Sequence, residues 1–218
     1  MKITILTLFP EVFSQILNTS IIKRAQEKKL VNIQLVNIRD FASDSYKTVD
    51  DRPYGGGVGM IMKVDVLYKA ISKIKNQKRV ILLDAKGKRF NQKKAWEISK
   101  YEHLVIICGH YEGVDFRIEK YVDEIISIGD FVLTGGEIPA MAMVDAVVRL
   151  IPEVITKGAT TSESFESGLL EYPQYTRPET FRGQKVPEVL LSGNHAKIAK
   201  WRKNQQQKII TSSPDVSS

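Results

Sequence analysis

At 218 residues, with 43% hydrophobic and 26% charged side chains, the chain has an ordinary globular composition and the length of one large domain or one domain with an appendage. A formal net charge of +7 favours an anionic partner, with nucleic acid ahead of an acidic membrane. The lone cysteine and three scattered histidines offer neither a disulfide nor metal-ligand pairs, no apolar run nears the ~18 residues that span a bilayer, and Pro10 and Glu11 cut short any signal-like start, so a cytoplasmic protein with no metal and no membrane partner is expected.

In chain order, ITILTLF (3–9) reads as a strand, EVFSQILNTSIIKRAQEKK (11–29) as a helix and VNIQLVNI (31–38) as a second strand. Then comes DDRPYGGGVGM (50–60), with four glycines in five positions. Such density suggests close approach of backbone to a phosphate, but two nucleotide-loop templates fail. The only Gly-Lys pair, Gly87-Lys88, is followed by Arg89 rather than Ser or Thr, and the dinucleotide spacing from Gly55 reaches Met60 where glycine is needed. Beyond it, VDVLYKAISKIKN (64–76) and QKKAWEISKY (92–101) read as helices, and RVILLD (79–84), HLVIIC (103–108) and DEIISIG (123–129) as strands. EIPAMAMVDAVVRLI (137–151) is a longer helix with Glu137 and Pro139 as start signals and Pro152 as stop. The alternation predicts an α/β domain with a largely parallel sheet and helices on both faces. From Lys157 the texture turns to Ser, Thr, Gly and Pro, giving a linker that leads into a small, basic, helical C-terminal piece. There HAKIAKWRKNQQQK (195–208) carries five Lys/Arg and no acid, the pattern of a helix that tracks phosphates or of a plain solvated face.

In open α/β sheets ligands sit beyond the carboxyl ends of strands. Three glycine-bearing loops follow such ends: LDAKGKRF, CGHYEGVDFR and SIGDFVLTGGE. Together they predict a small-molecule pocket built from main-chain groups. His110 reads as a hydrogen-bonding fixture, Cys108 as a buried small hydrophobe, and Glu163, Glu166 and Glu171 as solvated linker acids that become base candidates only if the linker folds over the pocket.

Taken in order, LFPEVF, RDF, TVDDRPYGGGVGM, CGHYEGVDFR, SIGDFVLTGGEIPAM, GLLEYPQYTRPE and VLLSGNHAKIAKWR resemble the bacterial tRNA (guanine-N1)-methyltransferases of the knotted (SPOUT) superfamily, from residue 1 to about 206. The resemblance implies a parallel α/β domain with a deep C-terminal trefoil knot over 1–156, an interdomain linker over 157–173, and a shortened, basic, helical tRNA-binding domain over 174–218. It implies S-adenosylmethionine as methyl donor, tRNA as partner, and a homodimer with sites at the interface; on a Mg2+ requirement the sequence is silent. Carried over, the cofactor residues are Leu83, then Gly109, Tyr111 and Glu112, then Ile128, Gly129, Asp130, Phe131, Val132, Leu133, Gly135 and Gly136. Arg149 falls on the family's catalytic arginine, and Glu163 on its catalytic aspartate in the linker, which acts across the dimer interface. On the tRNA side stand Asp50, Arg52, Gly59, Ser164, His195, Lys200 and Arg202. The reaction implied is methyl transfer to N1 of the guanosine 3′ of the anticodon. The chain departs from the family at Glu163 and at Asp84-Ala85-Lys86, where relatives carry Ser-Pro-Gln. The alternatives are a non-catalytic RNA-binding protein on a decayed methyltransferase frame and a ribosomal-RNA enzyme of the same superfamily.

Overall fold

A computed structural model describes residues 1–75, 78–156 and 171–212, the last six as main chain only. Two compact units result, Met1–Lys157 and Gly158–Ser218.

The first unit is built on five parallel strands: β1 (Lys2–Thr7), β2 (Asn32–Asn37), β5 (Arg79–Arg89), β6 (His103–Cys108) and β7 (Glu124–Ser127), in the order β2-β1-β6-β5-β7. The period-2 rule sorts their side chains to two cores. Ile3, Ile5, Ile81, Leu83, Leu104, Ile106 and Cys108 face one way, while Leu6, Val80, Leu82, Val105 and Ile107 face the other. Helices cover both faces, so the central β6 is buried throughout and reads as an unbroken apolar run. On the first face lie α1 (Ser14–Leu17), α2 (Ser20–Glu27), α4 (Gln92–Ile98) and α5 (Glu137–Val148). Ala140, Met143, Val144, Val147 and Val148 of α5 repeat at i, i+3, i+4, i+7 and i+8, the stripe that buries one side of a helix. The second face takes α3 (Val64–Lys73) through Val66, Leu67, Ala70 and Ile71.

Two differences from the sequence reading have local causes. The helix expected over 11–29 is a 3-10 turn (Pro10–Phe13) followed by α1 and α2, separated at Asn18–Thr19. There Asn18 Nδ2 donates to Ser14 O at 2.8 Å and Thr19 Oγ1 to Gln15 O at 2.6 Å, competing with the helix ladder, and Ser20 takes φ +51°. Strand β5 also runs past Asp84 to Arg89. Leu83 pairs with Ile126 of β7; the chain then bulges through Asp84–Gly87 and Lys88 pairs with Ile126 again. Gly87 crosses so close that a Cβ there would lie 2.5 Å from Ile126 N. Only glycine fits.

The glycine-rich stretch is the loop of a hairpin, β3 (Asp50–Asp51) with β4 (Ile61–Met62), and β4 separates it from α3, so it does not sit at a helix N-terminus.

The second unit holds a hairpin, β8 (Thr180–Phe181) with β9 (Gln184–Lys185), turning at Arg182 (φ +49°) and Gly183 (φ +83°), the two positive angles a tight hairpin turn requires. Short α6 (Glu188–Leu191) precedes α7 (His195–Ser212), whose start is capped by Asn194 Oδ1 accepting from Lys197 N at 3.1 Å. Among its described residues no side chain is fully buried.

Candidate active site

The carboxyl ends of β5, β6 and β7 open into one cleft of about 240 Å3. All three glycine-bearing loops line it: Leu83, Asp84 and Ala85 from the first; Gly109, His110, Tyr111, Glu112 and Gly113 from the second; Ile128, Gly129 and Phe131 through Gly136 from the third. The second and third loops are held together by Gly136 N donating to Gly109 O at 2.8 Å and by a bridge between His110 and Gly135. That approach leaves no room for side chains. A Cβ on Gly136 would lie 2.7 Å from Cys108 Cα, and one on Gly135 would lie 2.5 Å from His110 Nδ1 and 2.4 Å from Glu137 Oε2.

Beneath the cleft lies a polar relay that the sequence reading missed. Glu137, at the first turn of α5, is 8% exposed; its Oε1 accepts from Thr7 Oγ1 at 2.8 Å, and its Oε2 stands 3.8 Å from His110 Nδ1. Thr7 Oγ1 in turn accepts from Phe9 N at 3.0 Å. A carboxylate at a helix N-terminus is favoured by the helix dipole, which helps this one tolerate burial. His110 Nδ1 is itself buried without a hydrogen-bond partner among the described residues, and its ring packs on Phe9 and edge-on to Tyr111. Cys108 is fully buried; burial, with Glu137 second, pushes its thiol well above the usual range, so it is a packing residue and not a nucleophile.

The outer walls are tied by charge. Asp130, which is not among the cleft-lining residues, ion-pairs with Arg89. Lys86 reaches Glu119 Oε1 at 2.6 Å and Asp84 Oδ2 at 3.8 Å, and the Glu119 hydrogen bond raises its pKa. Asp84 Oδ1 also accepts from Lys86 N at 3.1 Å, which fixes the turn. The glycine hairpin docks on the second loop through three main-chain bonds: Glu112 N to Met60 O at 3.0 Å, Met62 N to Gly113 O at 2.9 Å and Asp115 N to Met62 O at 3.0 Å.

The sequence model of the family described as tRNA (Guanine-1)-methyltransferase TrmD matches residues 1–217. The chain belongs to this family. Among relatives, the tRNA (guanine-N(1)-)-methyltransferase of Carboxydothermus hydrogenoformans is 58% identical over 208 residues, 94% of this chain and 82% of that protein. Those of Bacillus pumilus and Geobacillus kaustophilus are 53% and 56% identical, over 99% and 94% of this chain and 91% and 86% of theirs. The similarity covers both units.

In this tRNA (guanine-1)-methyltransferase family member, all the expected cofactor residues except Asp130 line the one cleft. Arg149 does not join them. It caps the C-terminal end of α5, about 18 Å along the helix from Glu137 at 1.5 Å per residue. Glu163, Ser164 and Glu166 lie outside the described residues. Asp50 is half-buried in β3, and Arg52 and Gly59 are exposed in the hairpin loop. In the second unit His195, Lys200 and Arg202 are exposed on α7, and the Arg202 guanidinium stacks 4.7 Å over the Tyr172 ring. Among the described residues no group of three His, Cys, Asp or Glu is placed to hold a metal ion, and no helix is long and apolar enough to cross a membrane.

Proposed function

We propose that the protein transfers a methyl group from S-adenosylmethionine to N1 of guanosine 37, the nucleotide 3′ of the anticodon in tRNA. The observation that carries this reading is the convergence of three loops on one cleft at the carboxyl edge of the sheet, in a chain of this family. The donor set suits an adenosine-bearing molecule. Leu83, Ile128, Val132 and Leu133 offer apolar walls for a flat ring, and the glycine-rich turns bring main-chain N–H and C=O groups close. S-adenosylmethionine supplies a methyl already activated as a sulfonium.

The chain's own residues then have two tasks: to remove the N1 proton and to steady the charge that its loss drives onto O6. Glu163 takes the first and Arg149 the second. Because Arg149 stands at the far end of α5 from the cleft of its own chain, the reading includes a homodimer in which a second copy completes each site. The exposed Lys200 and Arg202 of α7, with His195 at its start, would follow the tRNA backbone, and Arg52 and Ser164 belong to the same tRNA-side set. The wrapped β5–β7 pairing, with Gly87 over Ile126, supports the knotted crossing. The lone buried cysteine suits the reducing cytoplasm where tRNA is found. Relatives 52–58% identical that are named as methyltransferases do not favour a non-catalytic RNA binder.

The test is nucleoside analysis of purified tRNA after incubation with the protein and methyl-labelled S-adenosylmethionine. Label recovered as 1-methylguanosine is expected, with none transferred to the same tRNA carrying adenosine at position 37. Tight tRNA binding with no label transferred would overturn the reading.

A further inference from the structure

The four glycines of the hairpin are not alike. Gly55, Gly56 and Gly57 have φ of +87°, +81° and +128°, and a Cβ on any of them would meet nothing closer than Pro53 Cγ at 3.7 Å. They serve the bend. Gly59, at φ +87°, differs: a Cβ there would lie 2.4 Å from Glu112 Cγ, 2.9 Å from Glu112 Oε1 and 3.0 Å from Glu112 Cδ. Glu112 is a cleft residue, and its main chain is pinned to the hairpin next to Gly59, since Glu112 N donates to Met60 O. The backbone therefore cannot move away to make room. The Glu112 side chain, exposed and flexible, can.

We infer that Gly59 is a positioning residue of the cofactor cleft: its missing side chain is the space in which the Glu112 carboxylate is held, so the hairpin's last glycine acts on the cofactor side through Glu112. This rests on the reading of the cleft as the S-adenosylmethionine site. A methyl group at position 59 displaces a flexible side chain, so the fold survives and the carboxylate is what moves.

The experiment is a double-mutant cycle on the full chain, with S-adenosylmethionine affinity measured by calorimetry, tRNA affinity by filter binding, and thermal melting as the fold control. Gly56→Ala carries nearly the same backbone strain without the Glu112 contact. Gly59→Ala is expected to weaken S-adenosylmethionine binding about tenfold or more, while Gly56→Ala changes it by less than about threefold; the cofactor affinity of Glu112→Ala with Gly59→Ala should match that of Glu112→Ala alone. Equal losses in Gly59→Ala and Gly56→Ala, a Gly59→Ala loss that persists in full without the Glu112 carboxylate, or a loss confined to tRNA would each overturn the inference while leaving the cofactor site standing. Failure of the unaltered protein to bind S-adenosylmethionine would take down both.

Discussion

Gly136→Ala isolates close packing at the cleft from every other effect of glycine. Gly136 sits at φ −80° and ψ −1°, angles that alanine adopts freely, so the substitution adds no backbone strain. What it adds is a methyl 2.7 Å from Cys108 Cα and 2.9 Å from Gly109 N, against the 3.4 Å at which ordinary contact begins. The third loop must therefore back away from the second by about 0.7 Å. Those neighbours are main chain at the end of the buried β6, and the same movement stretches the 2.8 Å bond from Gly136 N to Gly109 O. Overpacking of this kind costs ~1–3 kcal/mol, which for a chain of this size lowers the melting temperature by roughly 2–12 °C. Opening a reacting site by nearly 1 Å costs up to ~10²-fold in rate, so single-turnover methyl transfer should fall by roughly ten- to a hundredfold. Differential scanning calorimetry and rapid-quench methyl transfer read the two effects, and titration with S-adenosylmethionine follows the cleft itself. A variant that melts, binds and turns over like the unaltered protein would show that the two loops do not meet as described.

Glu163→Gln keeps shape but cannot accept a proton, so methyl transfer in single turnover should drop by ~10²–10⁴-fold with cofactor and tRNA affinity nearly unchanged; near-normal turnover would remove Glu163 as the base. His103, buried with its Nε2 3.0 Å from Thr4 Oγ1, has its pKa lowered from 6.5, first by burial and then by Lys2 and Lys78. Its contribution to stability is present above pH 6.5 and is lost as the pH falls below that value, where the unfolded chain takes up a proton that the folded chain resists. The melting temperature should therefore fall between about pH 8 and about pH 5.5 more in the unaltered protein than in His103→Asn, and equal falls would refute the assignment.

The sheet was legible because each strand is a short β-branched apolar run buried on both faces, a signal that needs no knowledge of its neighbours. The three cleft loops were legible for a related reason: strand ends in a parallel sheet point to one edge, and each loop carries glycine where the backbone turns. What escaped depends on contacts far apart in sequence. Glu137 reads as a helix start signal, and only the hydrogen bond from Thr7, 130 residues away, fixes it as a buried carboxyl beneath the cleft. Lys88 and Arg89 look like loop residues until β7 lies beside them. The break at Asn18–Thr19 hides inside an amphipathic pattern because side-chain bonds to the backbone leave the periodicity intact. The resemblance singles out Gly59 among the four glycines, but nothing local in the sequence says why, since Gly56 takes nearly the same backbone shape and only the neighbour at Glu112 separates them.

The bulge from Asp84 to Gly87 belongs at once to the cleft wall and to the strap over β7. Fraying the edge of the sheet at Ile126 would mean lifting that strap, and lifting it would carry Asp84 and Ala85 out of the cleft. Edge opening and loss of the binding surface are thus one local-unfolding event, with a single free energy. A molecule that binds only the intact cleft raises that free energy by RT ln(1 + [L]/Kd). The backbone amides of Ile126 and Ser127 should then exchange with solvent more slowly whenever the cleft is occupied, while those of β2, on the far edge of the same sheet, exchange as before.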